Sequence, residues 1–288
     1  MIEQIPQDAY RRRQGYSSST VATAYRDPRL CRRDDGADTE AMLRGRIVHA
    51  LTLEPHERPR YVVAPTVNLA TTAGKAAWSE WLAQFGVTEY VNREGAQAAL
   101  AAVGYDVIPQ DDLDALTAIV DRVRSDHRVR SLGLLSGGIG EGSAFAEVPV
   151  DGDRCVAGKC RPDYYIPASR TLVQLKTGAW HHLSPERWRW TMAGRGYDIA
   201  EAWCAEVLAR AGHPVDVVAW VCAATDAPLV HVYTAQVDSA MMQRAYDAAC
   251  IGALRLEEFD KSPLAWCERH DVVTDIGSWS IRGEVGDE

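Results

Sequence analysis

The apolar positions along the chain change from helical spacing in its first half to a mixture of strand-like runs and helices in its second half. The predicted helices cover residues 39–53, 72–85, 111–130, 184–211 and 238–259, and the fourth is either one helix or two helices broken near Gly194 and Gly196. The predicted strands cover residues 61–64, 144–150, 154–166, 171–177, 215–223 and 229–236, and the glycine-rich residues 133–142 are predicted as a loop. This order predicts an α/β fold in which helices flank a central mixed β-sheet.

Residues 1–38 differ from the rest of the chain. They are rich in Arg, Ser, Asp and Tyr and show weak periodicity. We therefore predict that residues 1–38 form a loosely ordered N-terminal arm. Residues 39–288 are predicted to form a single domain that begins with a helical lead-in. We expect the tail after Pro263 to be irregular.

Two neighbouring strands carry polar residues where apolar ones would be usual. Asp163 follows the apolar run that begins at residue 154, and Gln174 and Lys176 interrupt the next one. Because side chains alternate along a strand, Gln174 and Lys176 share one face, and a hairpin would bring Asp163 beside them. A carboxylate, an amide oxygen and a lysine together can hold Mg²⁺ and an attacked phosphate. An alternative is that Asp163 is a turn residue.

Composition limits the setting of the protein. The 288 residues are 47% hydrophobic without a long apolar run, so we expect a substantial core and no membrane span. Seven scattered cysteines and a polar N-terminus favour a reduced, cytoplasmic compartment. A net charge of −9 and a pI near 5.4 are unlike a protein that simply coats DNA. They still permit an enzyme with a locally positive channel around an acidic metal site.

Aromatic residues are concentrated just beyond the lysine. Trp180, Trp188 and Trp190 follow Lys176 within 14 residues. Two interpretations stay open: they pack in the core or between subunits, or they stack on unpaired bases. The adjacent His181 and His182 are further metal-ligand candidates, although neighbouring loop residues rarely converge on one ion.

The order of these motifs resembles the RecE-type exonucleases, the exodeoxyribonuclease VIII family of the PD-(D/E)xK nuclease superfamily. The resemblance covers about residues 41–245, the core of the predicted domain. Its segments are Gly45-Arg46-Ile47-Val48-His49-Ala50-Leu51 with Leu53-Glu54-Pro55, Tyr61-Val62-Val63-Ala64-Pro65, Ala73-Gly74-Lys75 with Trp78, Cys160-Arg161-Pro162-Asp163, Leu175-Lys176-Thr177 and Gly196-Tyr197. The resemblance implies a restriction-endonuclease-like core and a hydrolase that cleaves phosphodiester bonds with Mg²⁺, or with Mn²⁺ as a substitute.

The resemblance also assigns roles to individual residues. Asp163, Glu147, His49, Gln174 and the backbone carbonyl of Leu175 would hold the metal. Lys176 would orient the attacking water and stabilise the charge on the phosphate. Supporting residues would be Tyr197 and Thr177, and the candidates for DNA contact are Lys75, Arg161 and Arg187.

Two positions depart from the family pattern. Gln174 stands where the family has an acid, and Ala200 stands where its helical motif has a glutamine. A neutral amide oxygen can bind a metal but adds no negative charge, and Glu147 is the acid expected to compensate.

The resemblance implies a specific activity and specific partners. The expected enzyme digests one strand of double-stranded DNA from its ends, 5′ to 3′, and leaves 3′ overhangs for recombination. The expected partner is a RecT-type single-strand annealing protein. The expected assembly is a ring-shaped homo-oligomer, such as a tetramer. The expected setting is a phage or prophage recombination system in the cytoplasm of a bacterial host. Two alternatives stay open: a catalytically weakened relative that binds DNA ends or a partner, and an endonuclease with the same core.

Overall fold

The computed structural model describes residues 1–32, 39–53, 61–88, 92–134, 136–263 and 266–267. The helices are α1 (Gln7–Arg12), α2 (Ser18–Arg26), α3 (Glu40–Leu53), α4 (Thr72–Ala83), α5 (Arg93–Ala102), α6 (Gln110–Ser125), α7 (His127–Ser131), α8 (Trp180–Leu183), α9 (Pro185–Arg195), α10 (Tyr197–Arg210) and α11 (Ala240–Lys261), with a 3-10 helix at Pro28–Arg32. None of these described helices is long and apolar enough to cross a bilayer. The predicted helix stop at Pro55 and the tail beyond residue 267 lie outside the described residues.

The strands form three sheets. They are β1 (Tyr16–Ser17), β2 (Tyr61–Val63), β3 (Asp106–Ile108), β4 (Ile139–Gly140), β5 (Ala144–Asp151), β6 (Arg154–Cys160), β7 (Tyr164–Ile166), β8 (Thr171–Gly178), β9 (Val217–Ala224) and β10 (Val230–Gln236). A five-stranded sheet has the order β10-β9-β8-β7-β4, a three-stranded sheet the order β1-β6-β5, and β2 pairs with β3. In the largest sheet β8 and β9 run parallel and the other neighbours antiparallel. The predicted α/β class with a mixed sheet flanked by helices is confirmed.

The predicted strand over residues 154–166 is two strands that belong to different sheets. β6 ends at Cys160 in the three-stranded sheet, and β7 begins at Tyr164 in the five-stranded sheet. Pro162 lies in the connection, and proline cannot donate a ladder hydrogen bond. The break therefore places Asp163 at the start of β7, against the central strand β8.

The N-terminal residues are integral to the core, so the prediction of a loosely ordered arm is wrong for residues 1–32. On α2, Val21 and Ala24 are completely buried in the cluster that contains residues of α10 and α11. The ammonium of Lys159 on β6 donates to the carbonyls of Tyr10, Arg11 and Arg13 at 3.3, 3.2 and 2.5 Å, at the end of α1. A cation there also interacts favourably with the helix dipole. Residues 33–38 of the predicted arm lie outside the described part.

Local capping and packing explain further differences from the predicted elements. The predicted helix over 111–130 divides into α6 and α7 because the Asp126 side chain accepts hydrogen bonds from the N–H groups of Arg128 and Val129 and starts a new helix. Helix α5 and strand β3 were not predicted. Both belong to a small satellite around β2, whose own core includes the buried side chains of Trp78 and Leu100.

We expect Gly252→Ala to destabilise the fold. A Cβ at position 252 on α11 would lie 2.3 Å from the carbonyl oxygen of Val21, so α2 and α11 would have to separate. Overpacking of this kind costs about 1–3 kcal/mol, which urea denaturation measures. The matched control is Gly194→Ala on α9, where a Cβ meets nothing within 4 Å. That change should leave the stability unchanged or raise it by about 0.5–1 kcal/mol, and equal stabilities of the two variants would contradict the packing argument.

Candidate metal centre and active site

Asp163 is fixed by two backbone hydrogen bonds. Its carboxylate accepts from the N–H of Leu175 at 2.7 Å, and its own carbonyl accepts from the N–H of Glu141 at 3.1 Å. β7 pairs with β8 only up to Val173. The carboxylate of Asp163 takes the place of β7 beyond that point, because it accepts from the N–H of Leu175. The N–H and C=O of one strand residue point to the same side. The Leu175 carbonyl therefore faces the side of Asp163, as its predicted role requires.

His49 reaches Asp163 from the N-terminal half of the chain. The Nδ1 atom of His49 lies 3.5 Å from Oδ2 of Asp163. Helix α3 approaches β8 closely because it has a glycine at the crossing: a Cβ on Gly45 would lie 3.3 Å from the hydroxyl of Thr177. Thr177 therefore lies where α3 crosses β8, at the helix turn before His49.

Glu141 completes a group of potential metal ligands that the sequence did not predict. Ligand atoms of His49, Glu141 and Asp163 all lie within 4.8 Å of one another, the single such group of His, Cys, Asp and Glu side chains within the described residues. Glu141 has φ +49°, a left-handed conformation uncommon for a residue with a Cβ. Backbone strain of this kind persists where surrounding contacts impose it, and it is concentrated at functional sites.

Arg161 supplies one of those contacts. Its Nε donates to Oε2 of Glu141 at 2.9 Å, and its Nη1 donates to the carbonyl of Ile5 at 2.7 Å and to the hydroxyl of Ser143 at 3.2 Å. The side chain is only 13% exposed. The structure therefore places Arg161 as a brace for Glu141, and the prediction that it contacts DNA phosphates does not fit this placement.

Glu147 is not part of the group, and the prediction that it converges with Asp163 is wrong. It is exposed on β5, opposite Ala157 of β6, in the three-stranded sheet. Strand alternation explains this, because Val148 faces the core and its neighbour Glu147 must then face the other way. His181 and His182 lie against each other on α8 and likewise belong to no group of potential metal ligands among the described residues.

Lys176 and Gln174 lie on one face of β8, as alternation predicted. The Lys176 ammonium donates to the Gln174 amide oxygen at 3.1 Å and lies 5.0 Å from the ring centroid of Tyr197. Burial by itself would lower the pKa of Lys176, but the negative charges of Asp163 and Glu201 outweigh it and raise the pKa above its usual value. The lysine is therefore held in its charged form.

Glu201 is a second site residue that the sequence did not predict. It lies on α10, is 4% exposed, and its Oε2 has no hydrogen-bond partner among the described residues. Burial raises its pKa to about 8, while the charge of Lys176 and a hydrogen bond with Gln174 oppose that rise. The Gln174 amide thus lies between the lysine and the carboxyl. A signal was present in the sequence, because Glu201 is the one charged residue among the buried residues of α10.

The helical motif around Gly196 places both Tyr197 and Glu201. Gly196 has φ +70°, ends α9 and starts α10, so the two helices change direction at a residue without a Cβ. Ala200, where the family has a glutamine, is directly followed by Glu201. The remaining predicted DNA contacts, Lys75 on α4 and Arg187 on α9, do not belong to the group of His49, Glu141 and Asp163.

Comparisons with known proteins identify the fold. No family model matches the chain, and no curated protein matches its sequence. The solved structure of a protein from Eubacterium rectale, described as a putative exonuclease, shares the fold with a TM-score of 0.52 at 14% identity, over 98% of this chain and 99% of that one. A phage-related exonuclease from Haemophilus somnus 129PT aligns with a TM-score of 0.35 at 9% identity, over 86% and 96% of the two chains.

We expect Gln174 and Glu201 to be exchangeable only as a pair. Gln174→Glu would place two carboxyl groups side by side and should lower stability. Glu201→Gln replaces a carboxyl whose raised pKa already opposes folding at neutral pH, so its own effect should be small. The double variant Gln174→Glu/Glu201→Gln restores one acid and one amide beside the lysine. It should be more stable than the sum of the single effects by about 0.5–3 kcal/mol in a double-mutant cycle measured by urea denaturation.

A pair outside the network provides the control for this cycle. Glu147→Gln combined with Glu201→Gln should give additive effects, because Glu147 lies on the other sheet. Additive effects for the 174/201 pair as well would show that the two side chains do not depend on each other.

Proposed function

We propose that the chain is a metal-dependent nuclease that cleaves DNA phosphodiester bonds. The observation that carries the proposal is the convergence of His49, Glu141 and Asp163 next to the charged Lys176. One imidazole and two carboxylates gathered beside a half-buried cation suit the two halves of a phosphate-cleaving site, a metal position and a positive charge. The four residues come from different elements of the chain, so their convergence depends on the tertiary fold.

The residues present fit a divalent cation. Carboxylate oxygens are the ligands that Mg²⁺ prefers, and an imidazole nitrogen is well suited to Mn²⁺. Glu141 is braced by Arg161 and Asp163 by the N–H of Leu175, so both carboxylates are oriented in advance. When bound, the ion would polarise a phosphate oxygen and lower the pKa of a bound water.

The chain's own residues would position the reacting groups. Lys176 is fixed between the amide of Gln174 and the ring of Tyr197, so its ammonium can donate to the attacking water or to a phosphate oxygen without reorganising. Leu175 orients Asp163 through its N–H and presents its carbonyl on the same side. Gly45 lets α3 approach Thr177 closely, which brings His49 to the site.

The finer activity follows the family resemblance. The proposed substrate is an end of double-stranded DNA, digested 5′ to 3′ so that a 3′ overhang remains for a RecT-type annealing partner in recombination. The proposed assembly is a ring-shaped homo-oligomer. The motifs around His49, Asp163, Lys176 and Gly196 support these proposals, and the description of the Eubacterium rectale protein as an exonuclease agrees with them.

Glu201 bears on the alternative of a catalytically weakened relative. That alternative was motivated by the lack of an acid at Gln174 and of a glutamine at Ala200. The structure brings a carboxyl to Gln174 from the same helical motif, so an acid and an amide are both present beside Lys176. The observation favours an active enzyme.

We expect Asp163→Asn and Lys176→Met each to lower cleavage by at least about 100-fold. The asparagine oxygen can still accept from the Leu175 N–H, and methionine keeps most of the length of lysine, so folding should persist. The measurement is digestion of end-labelled linear duplex with Mg²⁺ or Mn²⁺, with circular dichroism as the check on folding. Near-normal digestion by either folded variant would place the active site elsewhere.

The same assay separates the remaining possibilities. Release of nucleotides from 5′-labelled linear duplex, with closed circles left intact, is the expected result. Cleavage of closed circles would instead identify an endonuclease, and binding of DNA ends without cleavage at any metal concentration would identify a binding module.

We expect Glu141→Gln and Glu147→Gln to differ sharply. Glu141 lies with His49 and Asp163, so loss of its charge should weaken Mn²⁺ binding measured by calorimetry by about 10- to 100-fold, the range for changes around metal ligands. Glu147 is an exposed carboxylate on the other sheet and should have no effect on metal binding or cleavage. The reverse pattern would return Glu147 to the site.

A further inference from the structure

Helix α9 presents a cationic and aromatic face to solvent. Trp188 and Met192 anchor the helix in the core, with exposures of 5% and 7%. Another face of the helix consists of five residues. Four of them follow the first by three, four, seven and eight positions, and residues at these spacings lie together on a helix. They are Arg187, Trp190, Thr191, Gly194 and Arg195, and all line one open groove.

The groove has the size and surface for a planar ring. Its volume is about 760 Å³, and Trp180, His181 and His182 form its other wall. Trp190 is 62% exposed, while Trp188, two positions earlier, is buried and stacked on Tyr233 with ring centroids 5.0 Å apart. The two interpretations of this aromatic cluster therefore apply to different residues, because Trp188 packs in the core and Trp190 has an open face.

The charge of the groove is opposite to that of the whole chain. Within the part of the chain that the structure describes, Arg187, Arg189 and Arg195 form no ion pair, and Arg189 lies over the Trp190 ring with its guanidinium carbon 4.9 Å from the centroid. Glu186 is the one acid that lines the groove. Two unpaired arginines that line the groove, with Arg189 beside Trp190, favour a polyanion as the occupant in a chain of net charge −9.

The groove is joined directly to the candidate active site. The segment that forms it, residues 180–195, connects Lys176 on β8 to Tyr197 on α10, and the Lys176 ammonium lies 5.0 Å from the Tyr197 ring. Trp180 lies four positions beyond Lys176, so even a fully extended chain between them spans at most about 14 Å. At about 3.4 Å per nucleotide along one strand, a DNA strand that leaves the site would reach the groove within about four nucleotides.

We propose that this groove binds unpaired DNA, with a base stacked on Trp190 and neighbouring phosphates on Arg187 and Arg195. Aromatic side chains interleaved with cations are how proteins bind single strands without reading their sequence, because every base has a π-face. The proposal rests on the proposed nuclease function, for which the groove would hold the single strand that digestion of a duplex leaves behind.

Binding can be measured without cleavage. The full chain, in EDTA so that no metal supports digestion, is titrated into fluorescein-labelled dT12, and anisotropy gives the dissociation constant. We expect Trp190→Ala to weaken binding by about 5- to 150-fold, the range for loss of one stacked base, and Trp190→Phe to keep most of the affinity. Unlabelled duplex of the same length should compete poorly.

The arginines are tested by salt dependence. Arg187→Ala/Arg195→Ala should weaken binding and reduce the slope of log K against log salt by about 1.4, two contacts at about 0.7 each for a single strand. The matched control is Arg130→Ala/Arg244→Ala, two exposed arginines on α7 and α11 away from the groove. Unchanged affinity of the Trp190→Ala variant, or equal losses in the two arginine pairs, would overturn the proposal.

Failure of this proposal and failure of the proposed function are distinguishable. If the wild type digests linear duplex while Trp190→Ala binds dT12 normally, the groove assignment is wrong and the nuclease assignment stands. If binding of dT12 depends on Trp190 while the wild type digests nothing with any metal, the groove is supported and the nuclease assignment is wrong.

Discussion

The positive charge of Lys176 is the constraint on which the site depends. An ammonium placed on the central strand of a sheet loses most of its hydration, and it stays charged only if negative groups lie near it. Asp163, just before β7, provides that charge at neutral pH, and Glu201 on α10 adds to it once it ionises, since its own pKa is raised to about 8. Both raise the pKa of Lys176 against the effect of burial. The lysine, in turn, opposes the rise in the pKa of Glu201. Strand, turn and helix are therefore held together by reciprocal electrostatics, and the mixed sheet fixes their distances.

Gln174 acquires a different meaning in this setting. From the sequence it is a neutral replacement for a metal-binding acid. In the structure its amide oxygen accepts from Lys176, and it also forms a hydrogen bond with Glu201. An amide can donate to one neighbour and accept from another, which a carboxylate cannot do. The carboxyl beside Lys176 therefore comes from α10, while β8 contributes the amide that accepts from the lysine.

Sequence reasoning predicted the parts of the site that depend on local spacing. The alternation around Gln174 and Lys176 defines one face of β8, so these two residues were accessible from the pattern alone. His49 was assigned through the family resemblance of the motif that contains it. Glu141 was not, because it belongs to a glycine-rich stretch without periodicity, and its position depends on a left-handed backbone and on pairing of β4 with β7. Glu147 was assigned through the family resemblance, as the acid upstream of Asp163, but its strand belongs to another sheet. The division of residues 154–166 between two sheets is a tertiary effect that no run of apolar residues reveals.

The anchoring of the N-terminal residues also determines when folding of the chain can be completed. Lys159 binds the carbonyl of Tyr10 across 149 positions of sequence, and Arg161 binds that of Ile5 across 156. Contacts between such distant positions make folding slow, because the entropy of closing a long loop is lost before any contact repays it. During synthesis, the first thirty residues can form their short helices early. They can make their contacts with β6 and Arg161 only after more than half of the chain has emerged. Since Arg161 also donates to Glu141, the candidate ligands His49, Glu141 and Asp163 can reach the observed geometry only after these N-terminal contacts form, and a partly made chain would lack the assembled group.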